Sequence, residues 1–394
     1  MDNWRDCKLG DLLEIKHGYA FLGEYFASAG SHVVLTPGNF LEEGGFKEKS
    51  DKAKWYNGPI PQDYVLEEGD LIVAMTEQAE GLLGSSALIP RSGIYLHNQR
   101  LGRVQIRDRK QADQHFIYYL FNSKSVRQQI RGSASGTKIR HTAPSRIADV
   151  KVSIPPLTTQ RRIAGILSAY DDLIENNQRR IRILEDMARS LYREWFVHFR
   201  YPGHESVPLV DSPLGQVPQG WAVSVVEDVL KRVPSGKKYD QKSASPIGTV
   251  PILDQGKSGI IGYHDDEPGV CATEDNPIIV FANHTCYQRL ILFPFSAIQN
   301  VLPFVPNPSL KRDIYWLHWA TNGLIVFNDY KGHWPEFIAK ELVVPPPEIS
   351  ERFGCFASPI TREILKLERA IENLRRTRDL LLSRLLSGQV NLQE

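Results

Sequence analysis

Two short runs in the first half of the chain carry side chains suited to holding a polyanion and reading its bases. Asn98, Gln99 and Arg100 stand together in NQRLGR, and these residue types make paired hydrogen bonds to adenine and guanine edges. Ser133, Ser135, Thr137, Lys138, Arg140 and His141 follow in the Gly/Ser run 132–147. Backbone N–H groups on such a loop can approach a phosphate closely while its cations neutralise the charge. The second half offers the same chemistry with other residues. Lys237 and Lys238 lie in SGKKYDQK, Lys257 in DQGKSG, Arg289 in CYQR, and Lys331 and Trp334 in DYKGHW. Each run taken alone also fits a solvated loop, so the weight falls on the architecture that positions them.

Catalytic patterns are missing. The chain has no G-x-x-x-x-G-K-[ST] phosphate loop, no G-x-G-x-x-G after a strand, no H-E-x-x-H and no G-x-S-x-G, which argues against a nucleotide motor, a dinucleotide enzyme, a zincin or a serine hydrolase. Cys7, Cys271, Cys286 and Cys355 form no C-x-x-C pair, so neither a zinc site nor a disulfide framework is indicated, and reduced cytoplasmic thiols are expected. The histidines are dispersed without metal-ligand spacing, and no metal site is expected. Hydrophobic content of 42% and charged content of 24% are ordinary for a globular protein. No apolar run reaches a membrane span, and the start MDNWRDCKLGDLLEI does not read as a signal peptide. A net charge of +1 leaves any anion-binding surface to local clustering of cations.

The elements behind these runs fall into a repeat. The stretch IPPLTTQRRIAGIL, followed by IRILEDMARSLYREWF, returns as VPPPEISERFGCFA and IENLRRTRDLLLSRLL at a constant offset of 190 residues. A period that long means two domains rather than a solenoid. Ile163, Leu167, Tyr170, Ile174, Asn177, Ile181, Leu184, Ala188, Leu191 and Trp195 alternate steps of four and three, the seam of a coiled-coil helix. Phe353, Ala357, Ile360, Ile364, Leu367, Ile371, Leu374, Arg378, Leu381 and Leu385 repeat that seam. Pro359 is expected to break the second helix or to start its long segment.

Residues 1–157 read as a mixed, strand-rich domain. HVVL (32–35), DLIVAM (70–75), SALI (86–89) and GRVQI (102–106) are its strand candidates, and 114–130 is spaced like one helix face. The expected division is 1–157 and 204–346 for the two domains, with 158–203 and 347–394 for the helices. The run 203–220, GHESVPLVDSPLGQVPQG, reads as a Pro/Gly-rich linker. Trp4 and Leu13 match Trp221 and Leu230 at the domain openings, whereas the domain interiors do not align.

These residues resemble the specificity subunit of type I restriction-modification enzymes. The resemblance rests on WRDCKLGD at 4–11, on the two Pro-Pro segments that lead into helices, on DSPLGQVPQGW at 211–221, and on the LLSGQVNL tail. It implies an α+β fold: two target-recognition domains in a pseudo-two-fold repeat, joined by two long antiparallel coiled-coil helices. It implies a non-catalytic reader of double-stranded DNA, each domain taking one half of a split site. The helices would set the spacer and dock two methyltransferase subunits through the seam residues Ile163, Leu167, Ile174, Ile181, Leu184, Leu191, Ile364, Ile371, Leu374 and Leu381. S-adenosylmethionine, ATP and Mg would sit on partner subunits, including a restriction and translocase subunit, in a bacterial or archaeal cytoplasm. A duplicated coiled-coil adaptor, a DNA reader outside restriction, and an enzyme with fused recognition are the alternatives.

Overall fold

The computed structural model describes the chain apart from residues 1–3, 50–51, 78–80, 257–258, 328, 330, 391 and 393–394. It divides into two compact units, one of Met1–Asn176 with Ile371–Glu394 and one of Asn177–Ala370. Each unit therefore contains a mixed, strand-rich domain and a piece of both long helices.

In the first unit, strand Arg5–Lys8 pairs antiparallel with Lys151–Ile154, closing the beginning of the domain against its end. A four-stranded sheet follows in the order Leu13–His17, Leu101–Ile106, Leu71–Ala74, Ser86–Leu88. Leu71–Ala74 is an inner strand, and all four of its side chains are buried, as expected of a strand covered on both faces. Phe116, Ile117 and Phe121 pack on this sheet from helix Gln114–Phe121. That helix does not run on to residue 130. The Ser123 hydroxyl accepts from the Val126 amide and caps a separate helix, Lys124–Gly132, because serine at that point satisfies an N–H that a continuous helix would have bonded internally.

The second unit repeats the plan. Ala222–Val225 pairs with Glu341–Val344, and the sheet runs Leu230–Arg232, Val301–Pro306, Ile278–Ala282, Gln288–Ile291. Helix Ile314–Thr321 lies where Gln114–Phe121 does in the first unit, and each is capped by an aspartate side chain, Asp313 and Asp113. The domain interiors thus share one strand order even though their sequences do not align.

A second small sheet differs between the units. Both contain a parallel pair, Val33↔Tyr95 in one and Ile252↔Ser296 in the other. Around that pair the first unit adds Trp55–Tyr56 and Phe26–Ala27, and the second adds Lys238–Tyr239 and Ile260–His264.

The first long helix, Leu157–Tyr192, continues into a π-helical turn at Arg193–Val197. The second, Pro347–Leu386, runs through Pro359 without a break. The expected interruption is absent. A proline inside a helix removes one N–H donor, and the carbonyl left over belongs to Cys355, an exposed residue, where water can satisfy it. All twenty seam positions are buried or partly buried. In the first unit Ile163, Ala164, Leu167 and Leu385 join the core of the strand-rich domain; in the second, Trp195, Phe196, Phe353 and Ala357 do so. The run 203–220 is not merely a linker, since Leu209–Ser212 and Gly215–Pro218 form a hairpin.

Each helix start is fastened to its own domain by a buried polar residue. The Gln160 side chain accepts from the Asp113 amide at 2.9 Å, and the Ser350 hydroxyl accepts from the Asp313 amide at 3.2 Å. Gln160 and Ser350 are 190 residues apart, so unlike residues do one job at equivalent places.

Candidate nucleic-acid interface

The two candidate runs of the first domain meet across a single residue. The Met75 amide donates to the Arg100 carbonyl at 3.0 Å, and the Met75 carbonyl accepts from the Thr142 amide at 2.9 Å. Beyond this joint, Arg140 and His141 pair antiparallel with Glu77 and Thr76. The His141 ring lies 3.2 Å from the Thr76 hydroxyl. Ser135 and His141 exchange two backbone hydrogen bonds, so 135–141 is a closed turn with Lys138 near its tip. Gly136 permits that closure: its φ is +97°, and a Cβ there would meet the Ile139 carbonyl oxygen at 2.0 Å.

On the other side of Met75, the Asn98 side chain accepts from the Arg100 amide at 2.9 Å, shaping the turn. Gln99, Arg100, Lys138, Arg140 and His141 are exposed, while Asn98 is half-buried. Lys138 and Arg140 make no ion pair with a described residue. His97, just before the turn, is fully buried with one ring nitrogen on the Leu101 carbonyl at 2.9 Å. Burial pulls its pKa down to about 4, so the ring is neutral.

The second domain has the same joint. The Asn283 amide donates to the Asn300 carbonyl, and the Asn283 carbonyl accepts from the His333 amide, each at 2.9 Å. Asn283 therefore stands where Met75 does. The Gln299 turn stands where the Gln99 turn does, and Lys331 where Arg140 does. Polar side chains cross-link this rim. Gln255 accepts from the His284 amide, and the His284 ring bridges the Lys331 carbonyl at 2.9 Å and the Asn300 side chain at 3.0 Å.

Several second-domain candidates are committed within the domain. Arg289 is half-buried, donates to the Asp254 carbonyl at 2.7 Å and lies over the Tyr287 ring, and burial lowers its pKa. It holds the 254 loop in place and is not a free surface cation. Trp334 is half-buried against Phe281, Phe304 and Phe337, with the Arg232 guanidinium 4.7 Å from its ring centre. These rings and the guanidinium hold it against the core. Lys237 is bound to Asp266 at 2.8 Å, and Lys331 lies 3.3 Å from Asp329. Lys238 is exposed; partial burial and then the Arg232 charge lower its pKa. Lys257 lies outside the described residues.

Residues 1–186 match the family described as Type I restriction modification DNA specificity domain. Over those residues the chain is similar to the specificity chains of type I restriction-modification systems. Among relatives of these specificity chains, it is 24% identical over 304 residues to the MjaIX specificity subunit of Methanocaldococcus jannaschii, covering 71% of this chain and 69% of that one. The MjaVIII specificity subunit of the same organism is 29% identical over 122 residues, 31% of this chain and 28% of that one. The crystal structure of the type I S subunit from M. genitalium superposes with a TM-score of 0.62 at 16% identity, covering 97% of this chain and 96% of that one. That likeness is one of fold.

This similarity supports a DNA-recognition role. No helix among the described residues is long and apolar enough to cross a membrane. Residue type alone points to the Asn98–Arg100 and Lys138–His141 runs but misses Met75, Asn283, His284 and Asn300. Met75 and Asn283 act through their backbones, which carry no side-chain signature. His284 and Asn300 acquire meaning only from each other, 3.0 Å apart.

Proposed function

We propose that each recognition domain reads one half of a split DNA site and that the two long helices set the spacer and dock two methyltransferase subunits. The observation that carries this reading is the repeated joint. In both domains an Asn/Gln-bearing turn and a cation-bearing loop flank one backbone residue, Met75 or Asn283. Equal frames with unlike rims suit a target with two unlike halves, and a pseudo-two-fold chain offers equivalent surfaces to two copies of one partner. On this reading Gln99, Arg100 and Gln299 meet base edges, and Lys138, Arg140, Lys238 and Lys331 meet phosphates.

Apolar side chains off the seam support partner docking. Leu173, Ile183, Met187 and Val197 on the first helix, and Phe356 and Leu380 on the second, are each about half exposed. Large apolar side chains left open on helices fit a protein partner better than water. On this reading S-adenosylmethionine belongs to the methyltransferase subunits, and ATP and Mg to a translocating restriction subunit, all in the cytoplasm.

The test is a methylome of a methylation-free host that co-expresses this chain with its methyltransferase. One split motif with a fixed gap, modified on both strands, is the expected result. Modification without a motif would overturn the two-reader account and favour the adaptor.

A further inference from the structure

The first domain carries a feature that the second lacks. Past strand Leu13–His17 the chain runs through Tyr19, Phe21, Leu22, Tyr25 and Phe26. Leu22 is 56% exposed, and Tyr19, Tyr25 and Phe26 are each more than a third exposed. This apolar surface is rigid. Phe21, Tyr25 and Phe26 stand edge-on to the buried Tyr56 ring, with centroids 5.0, 5.9 and 5.6 Å away, and Tyr19 leans on Tyr64 at 5.3 Å. Gly58 leaves room for it, since a Cβ there would meet the Tyr25 ring at 2.4 Å.

The tongue is rooted in the reading turn. The Tyr19 amide donates to the His97 carbonyl and the Gln99 amide donates to the Tyr19 carbonyl, both at 2.9 Å. Cations border it: the Lys16 ammonium sits 4.8 Å from the Tyr64 ring centre and Lys54 5.9 Å from that of Phe26. Glu24 and Asp63 are the nearby carboxylates, and Asp63 lies 3.7 Å from Lys16. In the second domain the matching run is Val233-Pro234-Ser235-Gly236-Lys237-Lys238, and the aromatic that follows, Tyr239, is buried and stacked on His264 at 4.1 Å.

Base pairs display one apolar group in the major groove, the thymine C5-methyl. We propose that the exposed edge of this tongue, Leu22 foremost, reads a thymine methyl in the half-site served by the first domain. The proposal rests on the reading that these domains bind DNA. Its occupant is duplex DNA because the apolar edge is continuous with the Asn98–Arg100 turn and bordered by lysines. Covering one methyl corresponds to about fourfold in affinity.

The test uses the full chain with its co-expressed partner subunits and a duplex carrying the mapped target. Thymines of both half-sites are replaced one at a time by uracil, which lacks only the methyl. One replacement should weaken the wild type about fourfold, while Leu22→Ala should bind the thymine and uracil duplexes equally, at the weaker level. Leu22 is exposed, so an unchanged unfolding midpoint confirms that the variant is intact. No sensitive position, a sensitivity that persists in Leu22→Ala, or a half-site with no thymine would overturn the proposal. So would a Leu22→Ala effect on self-association with no change in DNA affinity. Failure of the underlying DNA reading would look different: the wild type would not prefer the target over a scrambled duplex.

Discussion

The two recognition domains have one frame and two rims. Their main sheets share a strand order, their openings and exits pair in the same way, and a backbone joint at Met75 recurs at Asn283. What differs lies outside the frame. The first domain spends its extra residues on the aromatic tongue and on the closed turn 135–141; the second carries a shorter rim cross-linked by Gln255, His284 and Asn300. The separation between equivalent residues shows where the difference entered. Leu13 and Leu230 are 217 apart, Leu101 and Val301 are 200 apart, and Lys151 and Glu341 are 190 apart. Length was gained or lost in loops, which tolerate it, and not in the strands and helices that set the joint. Target choice can therefore change without disturbing what holds the domain together.

The largest effect expected from breaking this comparison is at Gly18. A Cβ there would lie 2.0 Å from the Asn98 carbonyl oxygen, and backbone cannot yield as a side-chain tip can. Gly18→Ala should cost the first unit roughly 3–4 kcal/mol, the range of severe backbone and packing defects. Calorimetry should show one transition moving down and the other holding; a shift of both would mean that the units do not melt separately.

Acid comes next. His97 is buried and neutral with a folded pKa of about 4, below its ordinary 6.5. A histidine depressed in this way contributes stability above pH 6.5 that is lost as pH falls towards 4, because the unfolded chain binds the proton first. The full loss is on the order of 3 kcal/mol. His97→Gln should flatten that part of the pH–stability curve for the first unit, and an unaltered curve would assign the acid sensitivity elsewhere.

A smaller effect tests the helices. In the first unit Arg378 binds Asp171 at 2.6 Å, and Asp171 also accepts from the Tyr119 hydroxyl at 2.6 Å. The repeat places Ala188 and Thr361 at the corresponding positions of the second unit, so this charged pair has no counterpart there, where Arg180 and Glu363 join the helices at another level. Arg378→Ala strands a half-buried carboxylate and should cost about 2 kcal/mol, discounted for partial exposure. Asp171→Thr combined with Arg378→Ala copies the second unit and should recover most of it by thermal melt. A double variant as unstable as the single would show that the pair is needed for more than its mutual attraction.

Much of this was legible in the sequence, and the reason is physical. A helix seam repeats every three or four residues, so its twenty positions could be named, and none is exposed. The strand runs at 32–35, 70–75, 86–89 and 102–106 each contain or overlap an observed strand, because short apolar runs between turn residues have few other options. Local chemistry that acts through neighbours was harder to see. Ser123 splits a helix that periodicity joins, and Pro359 fails to split one that proline should end. Trp334 and Arg289 carry surface-binding side chains yet are half-buried and engaged within the domain, since burial is decided by elements far away in sequence. The interiors did not align because three changes of length separate the matching residues, whose offset falls from 217 at Leu13 and Leu230 to 208 at Met75 and Asn283, 200 at Leu101 and Val301 and 190 at Lys151 and Glu341.

The smallest effect is the sharpest test of the rims. Arg140 and Lys331 occupy equivalent places, yet Arg140 makes no ion pair with a described residue, whereas Lys331 lies 3.3 Å from Asp329. A phosphate contact releases counterions and adds close to one to the slope of log affinity against log salt. Arg140→Ala should therefore lower that slope by about one. Lys331→Ala should lower it by clearly less, because Asp329 already offsets part of the charge, and Asp329→Asn should steepen it. Equal losses at the two positions would mean that Lys331 leaves Asp329 when DNA binds. The rim of the second domain would then be a switch that opens on contact rather than a fixed surface.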